Sequence, residues 1–493
     1  MIHRLRWFCQ HDQQAYYWGV TYYFYDLETT GFNPRTDRIM QFAGQRTDLK
    51  LTPIGQPDNF LIKLTPDVLP SPGAVMVHGI TPQKTLTEGV TEAAAAKYLS
   101  GKVFTPDTIT VGFNNIRFDD EFIRYLFWRN FTDAYEWHYK DSRSRWDLLD
   151  LTRMTRALRP EGVEWPMAPD GRPSNKLELL AAINKLEHVG AHDALSDVRA
   201  SLGLAQLIRA KQGKLFDYLQ KMRDKTNVAV LVGRGKPFIY TSGRYPDEFS
   251  KTTVAVMIAK HPGRDAALVY DLRIDPDEFS GLSPAQLAAL WQLRGPEAPY
   301  FPVKKLAYNR SPAVAPLRVL DRASSKRLKI DMRLFEQNHD KLIRAENFAS
   351  NILAALEIVE PMPQRGLVVD EQQVDSLLYE GFVAGADKLK MGVVRAAEEQ
   401  QLSSLKLNFD DDRLRALFPL YKARNFPDIL TPKEQSWWRQ FRQHRLLGGG
   451  KNSQLNQYLE QIDNLSLEKW LSQDHRAQLT ELKKYAKLID PAS

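Results

Sequence analysis

The chain has 493 residues, a length that at roughly 150 residues per domain predicts about three domains. Hydrophobic residues make up 43% of it and charged residues 26%, and this ordinary globular composition excludes a disordered tail, a collagen or a small disulfide scaffold. The 67 basic and 60 acidic residues give a net charge of +7. Such a charge indicates either a polyanionic partner or only an evenly mixed, solvated surface.

Neither membrane insertion nor disulfide bonding is expected. No uncharged apolar run approaches the roughly 18 residues of a membrane span, and the first residues lack the apolar centre of a signal peptide. The only cysteine, Cys9, excludes a disulfide within the chain and a metal site built from several cysteines. We therefore expect a soluble, cytoplasmic protein.

The segment 21–210 alternates short apolar runs, typical of strands, with amphipathic runs, typical of helices, which predicts an α/β domain. Residues 1–20 fit no pattern and are interpreted either as a flexible N-terminal extension or as the result of an upstream reading start. Strands are predicted at Tyr22–Asp26, Ile39–Gln45, Phe60–Leu64 and Thr108–Phe113. Helices are predicted at Asp119–Phe127 and Ala194–Ile208.

Two further domains are predicted after this one. Segment 213–355 has short β-type runs broken by Gly and Pro and indicates a small, mainly β domain, whereas segment 358–490 has long amphipathic runs and indicates a helical domain. Strands are predicted at Val228–Val232, Phe238–Tyr240, Thr253–Ile258 and Ala267–Tyr270. Helices are predicted at Val374–Val383, Arg413–Tyr421, Gln435–Leu447 and Leu467–Leu488.

The end of the first strand carries two carboxylates, Asp26 and Glu28. Since side chains alternate along a strand, both lie on one face, about 7 Å apart along the chain, where a divalent metal could bridge them. The alternative is a polar strand end that leads into the turn after Glu28. An isolated Asp-x-Glu fits both a metal site and a polar strand end, so further acidic residues are needed to identify a metal site.

Further acids stand at two predicted helix starts. Asp119 lies where the fourth strand gives way to a helix, and capping of that helix would also explain it. Asp193 suits the N-cap of a later helix, which places Asp197 in the first turns and His192 just before the helix. Together these residues suggest a two-metal phosphodiester hydrolase site, with Mg²⁺ or Mn²⁺ on the carboxylates and His192 as the proton acceptor.

This spaced set resembles a known enzyme family. Asp-Leu-Glu-Thr-Thr-Gly at 26–31, His-Gly-Ile-Thr at 78–81, Asn-Ile-Arg-Phe-Asp at 115–119 and His-x-x-x-x-Asp at 192–197 are similar to the histidine-containing branch of the DEDD superfamily of 3′-to-5′ exonucleases. Within it, Asn-Asn-Ile-Arg-Phe-Asp-Asp-Glu at 114–121 and Ser-Arg-Trp-Asp-Leu-Leu-Asp at 144–150 resemble the bacterial exodeoxyribonuclease I family. Leu-Tyr-Glu-Gly-Phe at 378–382 and Ala-Arg-Asn-Phe-Pro at 423–427 extend the likeness over nearly the whole chain.

The resemblance implies a fold and an activity. The fold is an α/β RNase H-like nuclease domain, a mainly β SH3-like domain and an α-helical C-terminal domain, together a C-shaped clamp around single-stranded DNA. The activity is processive 3′-to-5′ removal of 5′-mononucleotides, with a place in DNA repair and recombination. By alignment, Asp26, Glu28 and Asp197 hold two Mg²⁺ ions, for which Mn²⁺ can substitute, Asp119 completes the acidic set and His192 is the general base.

The resemblance also implies partners, namely single-stranded DNA with a free 3′ end and the acidic, Phe-ending tail of single-strand binding protein. Arg159 and Tyr218 are our candidates for the tail pocket, and a monomer is expected. Besides Glu28, the residues predicted to contact DNA are Lys176, Lys236, Arg124, Tyr135, Arg153 and Arg159. Many family members have Arg where Lys176 stands, and Lys lacks the two-pronged grip of Arg on phosphate.

Two other functions remain open from the sequence. One is an RNA-trimming or proofreading exonuclease of the same superfamily, although such enzymes usually lack the two trailing domains. The other is a catalytically inactive clamp on single-stranded DNA, against which the intact acidic set argues.

Overall fold

The computed structural model describes residues 19–187, 193–295, 298–361 and 369–492. Most of the predicted N-terminal extension and the predicted base His192 therefore lie outside the described residues. Within the described ranges, no helix combines the length and the apolar character needed to cross a membrane.

The N-terminal part is built on a mixed sheet, five-stranded in the residues described, in the order β3-β2-β1-β4-β5. Strand β1 pairs antiparallel with β2 and parallel with β4, so it lies at the centre of the sheet. The strands are β1 Thr21–Thr29, β2 Ile39–Thr47, β3 Asp58–Leu61, β4 Thr108–Gly112 and β5 Ser144–Asp147. The helices are α1 Pro72–His78, α2 Pro82–Glu88, α3 Glu92–Tyr98, α4 Asp119–Arg129, α5 Leu148–Leu158, α6 Leu177–Ile183 and α7 Ala194–Lys221.

The middle part contains a second sheet, in which every strand pairs antiparallel with its neighbours in the order β10-β6-β7-β8-β9. It follows a kink in α7 at Gln212, which lies between the predicted domain limits 210 and 213. The strands are β6 Phe238–Thr241, β7 Thr252–Lys260, β8 Ala266–Asp271, β9 Val303–Ala307 and β10 Ala313–Pro316. The helices are α8 Lys225–Val232, α9 Asp277–Ser280, α10 Pro284–Gln292, α11 Arg322–Arg327, α12 Met332–Arg344 and α13 Phe348–Val359.

The C-terminal part is helical in its described residues. It opens with a 3₁₀ segment at Val374–Tyr379, and the helices after it are linked by short loops. These helices are α14 Gly385–Ala396, α15 Glu399–Ser404, α16 Asp412–Asn425, α17 Pro432–Leu447, α18 Gln454–Ser466 and α19 Gln473–Leu488. An α/β part, a mainly β part and a helical part thus confirm the predicted fold class, while the C-shaped clamp stays a prediction.

The apolar cores run across the predicted domain limits. Trp146 of the first sheet and Ile239 of the second belong to one continuous buried cluster. Trp128 of α4 packs in another cluster with Leu417 of α16 and Trp438 of α17. Because burial of apolar surface is the main stabilising force in folding, each part depends on its neighbour for some of its stability.

Three predicted elements differ in the structure. Val228–Val232 is the end of helix α8. Asp224 caps this helix by accepting a hydrogen bond from the Thr226 amide, and Val228 and Val232, four residues apart on one helix face, are both buried. The helix predicted at Leu467–Leu488 begins only at Gln473, where the Ser472 side chain caps it. The helix predicted at Val374–Val383 is the 3₁₀ segment that ends at Tyr379.

Candidate active site and nucleic-acid interface

Strand β1 carries Asp26 and Glu28 on one face of the sheet. Their neighbours Tyr25 and Leu27 point the other way and are buried in the core, which fixes the alternation. Each of the two residues as a whole is half-buried. Glu28 stands opposite Gln41 of β2 in the antiparallel pairing, so the acids lie next to that strand.

Helix α7 brings Asp197 to the same place. Asp193 is its N-cap, as predicted, and accepts a hydrogen bond of 3.2 Å from the Ser196 amide. Gln41 Nε2 donates to Asp193 Oδ1 at 2.9 Å and so ties the helix start to β2. As a result, carboxylate oxygens of Asp26, Glu28 and Asp197 all lie within 4.8 Å of one another.

Asp119 begins α4 and is 3% exposed. It does not cap this helix, because the N-cap position is Phe118 and no side chain provides a cap bond there. Its Oδ1 is buried and accepts no hydrogen bond from the described residues. The adjacent Asp120 is held instead by Arg145, whose Nη1 donates at 2.7 Å, and by the Tyr25 hydroxyl. Of this pair, therefore, Asp119 is the carboxylate with a buried oxygen that no described residue contacts by a hydrogen bond.

The acidic set is electrostatically strained. Burial, followed by the charges of Asp119 and Asp197, raises the pKa of Asp26 well above its ordinary value. Burial and the charge of Asp26 raise the pKa of Glu28 to about 9. Crowded carboxylates with an orphaned buried oxygen are the arrangement that a hard divalent cation stabilises. The residues present thus fit a metal centre.

The structure gathers basic residues in a cavity of about 890 Å³, the interdomain cavity, to which all three parts of the chain contribute. Phe382 of the C-terminal part lines it and is 95% exposed, although a large apolar side chain is normally buried. The basic residues that line it are Arg117, Arg153, Arg244, Arg264, Lys305 and Arg310. Cations with an accessible aromatic ring are the features that bind single-stranded nucleic acid.

Of the predicted DNA contacts, only Arg153 lines this cavity. The sequence reasoning did not single out the other residues that line the cavity, although Arg117 and Phe382 lie inside stretches quoted above for their family likeness. No local signal marks Arg244 or Arg310, because the fold brings them to the cavity from distant segments.

Arg124 and Tyr135 lie elsewhere, in a contact with the C-terminal part. Arg124 is 8% exposed and donates to Glu121 at 2.7 Å and to the Tyr379 hydroxyl at 3.0 Å. Its second terminal nitrogen lies 3.0 Å from His138 Nε2, and its guanidinium stacks over the Tyr135 ring. The charge of Arg124 is thus already partnered within the protein.

Arg159 and Tyr218 line a common cavity of about 610 Å³, the tail cavity, as predicted for a shared pocket. Tyr218 also lines an adjoining cavity of about 640 Å³ together with Lys236, so Lys236 lies beside the tail cavity and does not line the interdomain cavity. Lys176 precedes α6 and is exposed, with its Nζ 3.5 Å from Glu178.

Three family models match the chain in succession. They are Exonuclease over residues 23–205, Exonuclease I SH3-like domain over 223–357 and Exonuclease I C-terminal domain over 372–489. The exodeoxyribonuclease I of Haemophilus influenzae is 38% identical over 434 residues, which is 86% of this chain and 90% of that protein. The exodeoxyribonuclease I of Escherichia coli strain K12 is 37% identical over 429 residues, 86% of this chain and 89% of that protein.

Solved structures agree over a larger share of the chain. The moderately thermophilic exonuclease I of Methylocaldum szegediense is 37% identical with a TM-score of 0.88 and covers 96% of this chain and 100% of its own. E. coli exonuclease I in complex with a dA16 oligonucleotide is 35% identical with a TM-score of 0.89, covering 95% and 100%. A structure of SSB/exonuclease I with an inhibitor is 34% identical with a TM-score of 0.85, covering 96% and 100%. The chain therefore belongs to the exonuclease I family.

Proposed function

We propose that this protein is an exodeoxyribonuclease that degrades single-stranded DNA from a free 3′ end and releases 5′-mononucleotides processively. The observation that carries the proposal is the convergence of Asp26, Glu28 and Asp197 within 4.8 Å, in a chain of the exonuclease I family. An inactive clamp would have no use for this crowding, which destabilises the fold unless a cation relieves it.

In this proposal Asp26, Glu28 and Asp197 hold two divalent ions, and the all-oxygen donors favour Mg²⁺, with Mn²⁺ as a substitute. When bound, such ions stabilise charge on the attacking and departing oxygens of the phosphodiester. Asp119 offers a buried carboxylate oxygen with no structural partner to complete the set. His192 accepts a proton from the attacking water, a role that an imidazole with an ordinary pKa near 6.5 can perform at neutral pH.

The interdomain cavity supports the choice of substrate. A single strand can place its phosphates on the cations of this cavity and stack a base on the exposed ring of Phe382. The relative solved with a dA16 oligonucleotide supports DNA as the polymer.

The test uses 5′-labelled single-stranded DNA, duplex DNA and RNA of matched sequence, incubated with Mg²⁺ with and without a chelator. We expect a ladder that shortens from the 3′ end of single-stranded DNA only and that chelation abolishes. Asp197→Asn should abolish it, whereas Asp340→Asn, a charge-matched change at an exposed position of α12, should not. Internal nicks or shortening from the 5′ end would refute the polarity, and equal rates on RNA would refute the DNA assignment.

We also propose that the tail cavity binds the acidic, Phe-ending tail of single-strand binding protein. Lys211, Lys214 and Arg318 add positive charge to Arg159, while Leu215 and Val319 give the wall an apolar strip. The relative whose structure is described as SSB/exonuclease I supports this partner.

A fluorescent acidic peptide ending in Phe tests this second proposal by anisotropy. Arg159→Ala should weaken its binding, since the mutation removes a guanidinium that can hold a carboxylate. The matched control is Arg333→Ala at an exposed site on α12. Equal binding to both variants would refute a role of Arg159 in holding the peptide.

A further inference from the structure

The loop that joins β1 to β2 presents a phenylalanine ring to solvent. Phe32 lies just past the end of β1, the strand that carries Asp26 and Glu28, and is 88% exposed. Single exposed apolar residues are common on protein surfaces and need no function. A role is indicated here only by how the loop holds the ring and by what lies beside it.

Asp37 holds this loop in a fixed shape. Its Oδ2 accepts from the Asn33 amide at 2.8 Å and its Oδ1 accepts from the Thr30 hydroxyl at 3.1 Å. The Asp37 amide donates in turn to the Asn33 carbonyl at 2.8 Å. A Cβ atom on Gly31 would lie 2.5 Å from the Asp37 carboxylate, so only glycine leaves that carboxylate in place. The backbone is therefore fixed on both sides of Phe32, and a ligand that binds the ring does not have to order the loop first.

The ring of Phe32 lies beside the start of helix α4. Its centroid is 6.4 Å from that of Phe118, with the two planes inclined at 59°. Phe118 is half-buried and also packs against Phe122, whose ring centroid is 5.0 Å away. The next residue after Phe118 is Asp119 of the acidic set. Phe32 thus leans toward the acids and still leaves most of its own ring open.

The same stretch of chain links the acids to the interdomain cavity. Asn114 and Arg117 line that cavity, and Phe118 and Asp119 follow them directly. Phe32 does not line the cavity. A strand whose phosphates lie in the interdomain cavity and whose 3′ end lies at the acidic set therefore passes the start of α4 and ends near the ring of Phe32.

We propose that Phe32 stacks on the base of the 3′-terminal nucleotide and makes hydrolysis of the last phosphodiester depend on that base. This rests on the proposed function, because only a strand with its 3′ end at the acidic set places that base beside the loop. The nucleotides on the 5′ side of the scissile bond extend into the interdomain cavity, where Phe382 offers them a ring. The base left for Phe32 is the terminal one.

The stack would select among ends by the strength of stacking. Every base has a π-face, but a purine overlaps a phenyl ring over a larger area than a pyrimidine, so strands that end in a purine should be preferred. A base held on a rigid ring also restricts rotation of the last nucleotide and keeps the scissile phosphate at the acids. Loss of a ring that stacks on one base corresponds to about a fivefold to 150-fold effect.

The experiment measures release of the first nucleotide in a single turnover by rapid quench with Mg²⁺. The 5′-labelled single strands are identical except at the last position, which carries adenine, thymine or no base. The full-length parent is compared with Phe32→Ala and Phe32→Trp. The matched control is Trp470→Ala, which removes an exposed ring from the loop between α18 and α19, outside the cavities described above.

In the parent and the control, the strand that ends in adenine should react fastest and the strand with an abasic end slowest. Phe32→Ala should slow the adenine strand by about fivefold or more and change the abasic strand by less than about twofold, whereas Phe32→Trp should keep the parent's order. Equal slowing of the adenine and abasic strands would overturn the proposal, because the ring would then only support Phe118 and the start of α4. Unchanged rates on every strand would overturn it as well.

A second set of strands tests which base is stacked. These strands end in adenine and lack the base at the penultimate position. Phe32→Ala should slow them as much as it slows the intact strand. If its effect disappears on them instead, the assignment of Phe32 to the terminal base is wrong.

The parent's own activity separates this proposal from the one on which it rests. If the parent shortens these strands from the 3′ end and Phe32→Ala shortens them at the same rates, only the role of Phe32 fails. If the parent shortens none of them, the proposed function itself fails.

Discussion

Replacement of Asp375 by asparagine should destabilise the protein by about 3 kcal/mol, the lower end of the range for removing one partner of a buried ion network. Asp375 is 2% exposed and accepts from Arg424 through both terminal nitrogens at 2.8 Å and from Arg38 Nη2 at 2.7 Å. Arg424 also donates to the buried Asp67 at 2.8 Å. The asparagine side chain would keep one acceptor oxygen but leave the buried guanidinium groups short of a negative charge.

The pH dependence of this effect follows from the same contacts. Burial by itself would raise the pKa of Asp375, but the charges of Arg424, Arg38 and Arg445 outweigh it and hold the pKa well below its ordinary value of 3.8. A carboxyl with a lowered pKa contributes stability that is fully present above its unfolded value and is lost as the pH falls toward the folded one. The difference between Asp375→Asn and the parent should therefore be constant from about pH 5 to 8 and shrink below about pH 4.

Urea titrations read by tryptophan fluorescence and by far-UV circular dichroism measure the free energy of unfolding where the two probes coincide. Asp410→Asn is the control, because Asp410 pairs with Lys390 at an exposed site and should leave the midpoint unchanged. A loss below about 1 kcal/mol for Asp375→Asn, or a loss equal to that of the control, would refute the assignment of this network as a stabilising link.

Three further changes test other parts of the structure. Burial and the charges of Arg145 and Arg124 lower the pKa of His138 to about 2, whereas the unfolded chain takes up the proton below pH 6.5, so the protein loses stability in acid. His138→Gln should remove this loss, which is about 2 kcal/mol at pH 5 by unfolding titration. An equal acid loss in the variant would contradict this. Phe382→Ala should leave the melting temperature unchanged but weaken binding of single-stranded DNA by about 1–3 kcal/mol in an anisotropy assay, and unchanged affinity would exclude stacking on Phe382. Asp119→Asn should abolish hydrolysis and yet raise the melting temperature of the metal-free protein, because the change removes a buried acid whose pKa burial and the charge of Asp120 hold well above its ordinary value. A lower melting temperature would show that this carboxyl group stabilises the fold.

The local features of the site could be predicted from the sequence. The alternation of β1 places Asp26 and Glu28 on one face, and a capping residue before an amphipathic run places Asp197 in the first turn of its helix. Both depend on neighbours within a few residues. The convergence of the three acids was a hypothesis from the sequence, and the structure brings them together, while their roles as metal ligands stay a prediction.

Features that depend on distant segments could not be predicted. The hydrogen bond between Arg124 and Tyr379 joins residues more than 250 positions apart and could not be expected from either segment, while a contact of Arg124 with DNA stays a prediction. Val228–Val232 was expected to be a strand because valine favours strands, yet the Asp224 cap and the four-residue spacing of the buried valines stabilise a helix. Propensity is a weak preference that tertiary contacts override.

Arg38 joins the C-terminal part to the end of the strand that carries the acids. Its backbone pairs with Thr30, just after the acidic end of β1, by bonds of 2.8 and 2.9 Å, and its side chain reaches Asp375 in the C-terminal part. The buried ion network therefore reaches the end of β1 and holds it against the part of the chain that also contributes Phe382 to the interdomain cavity.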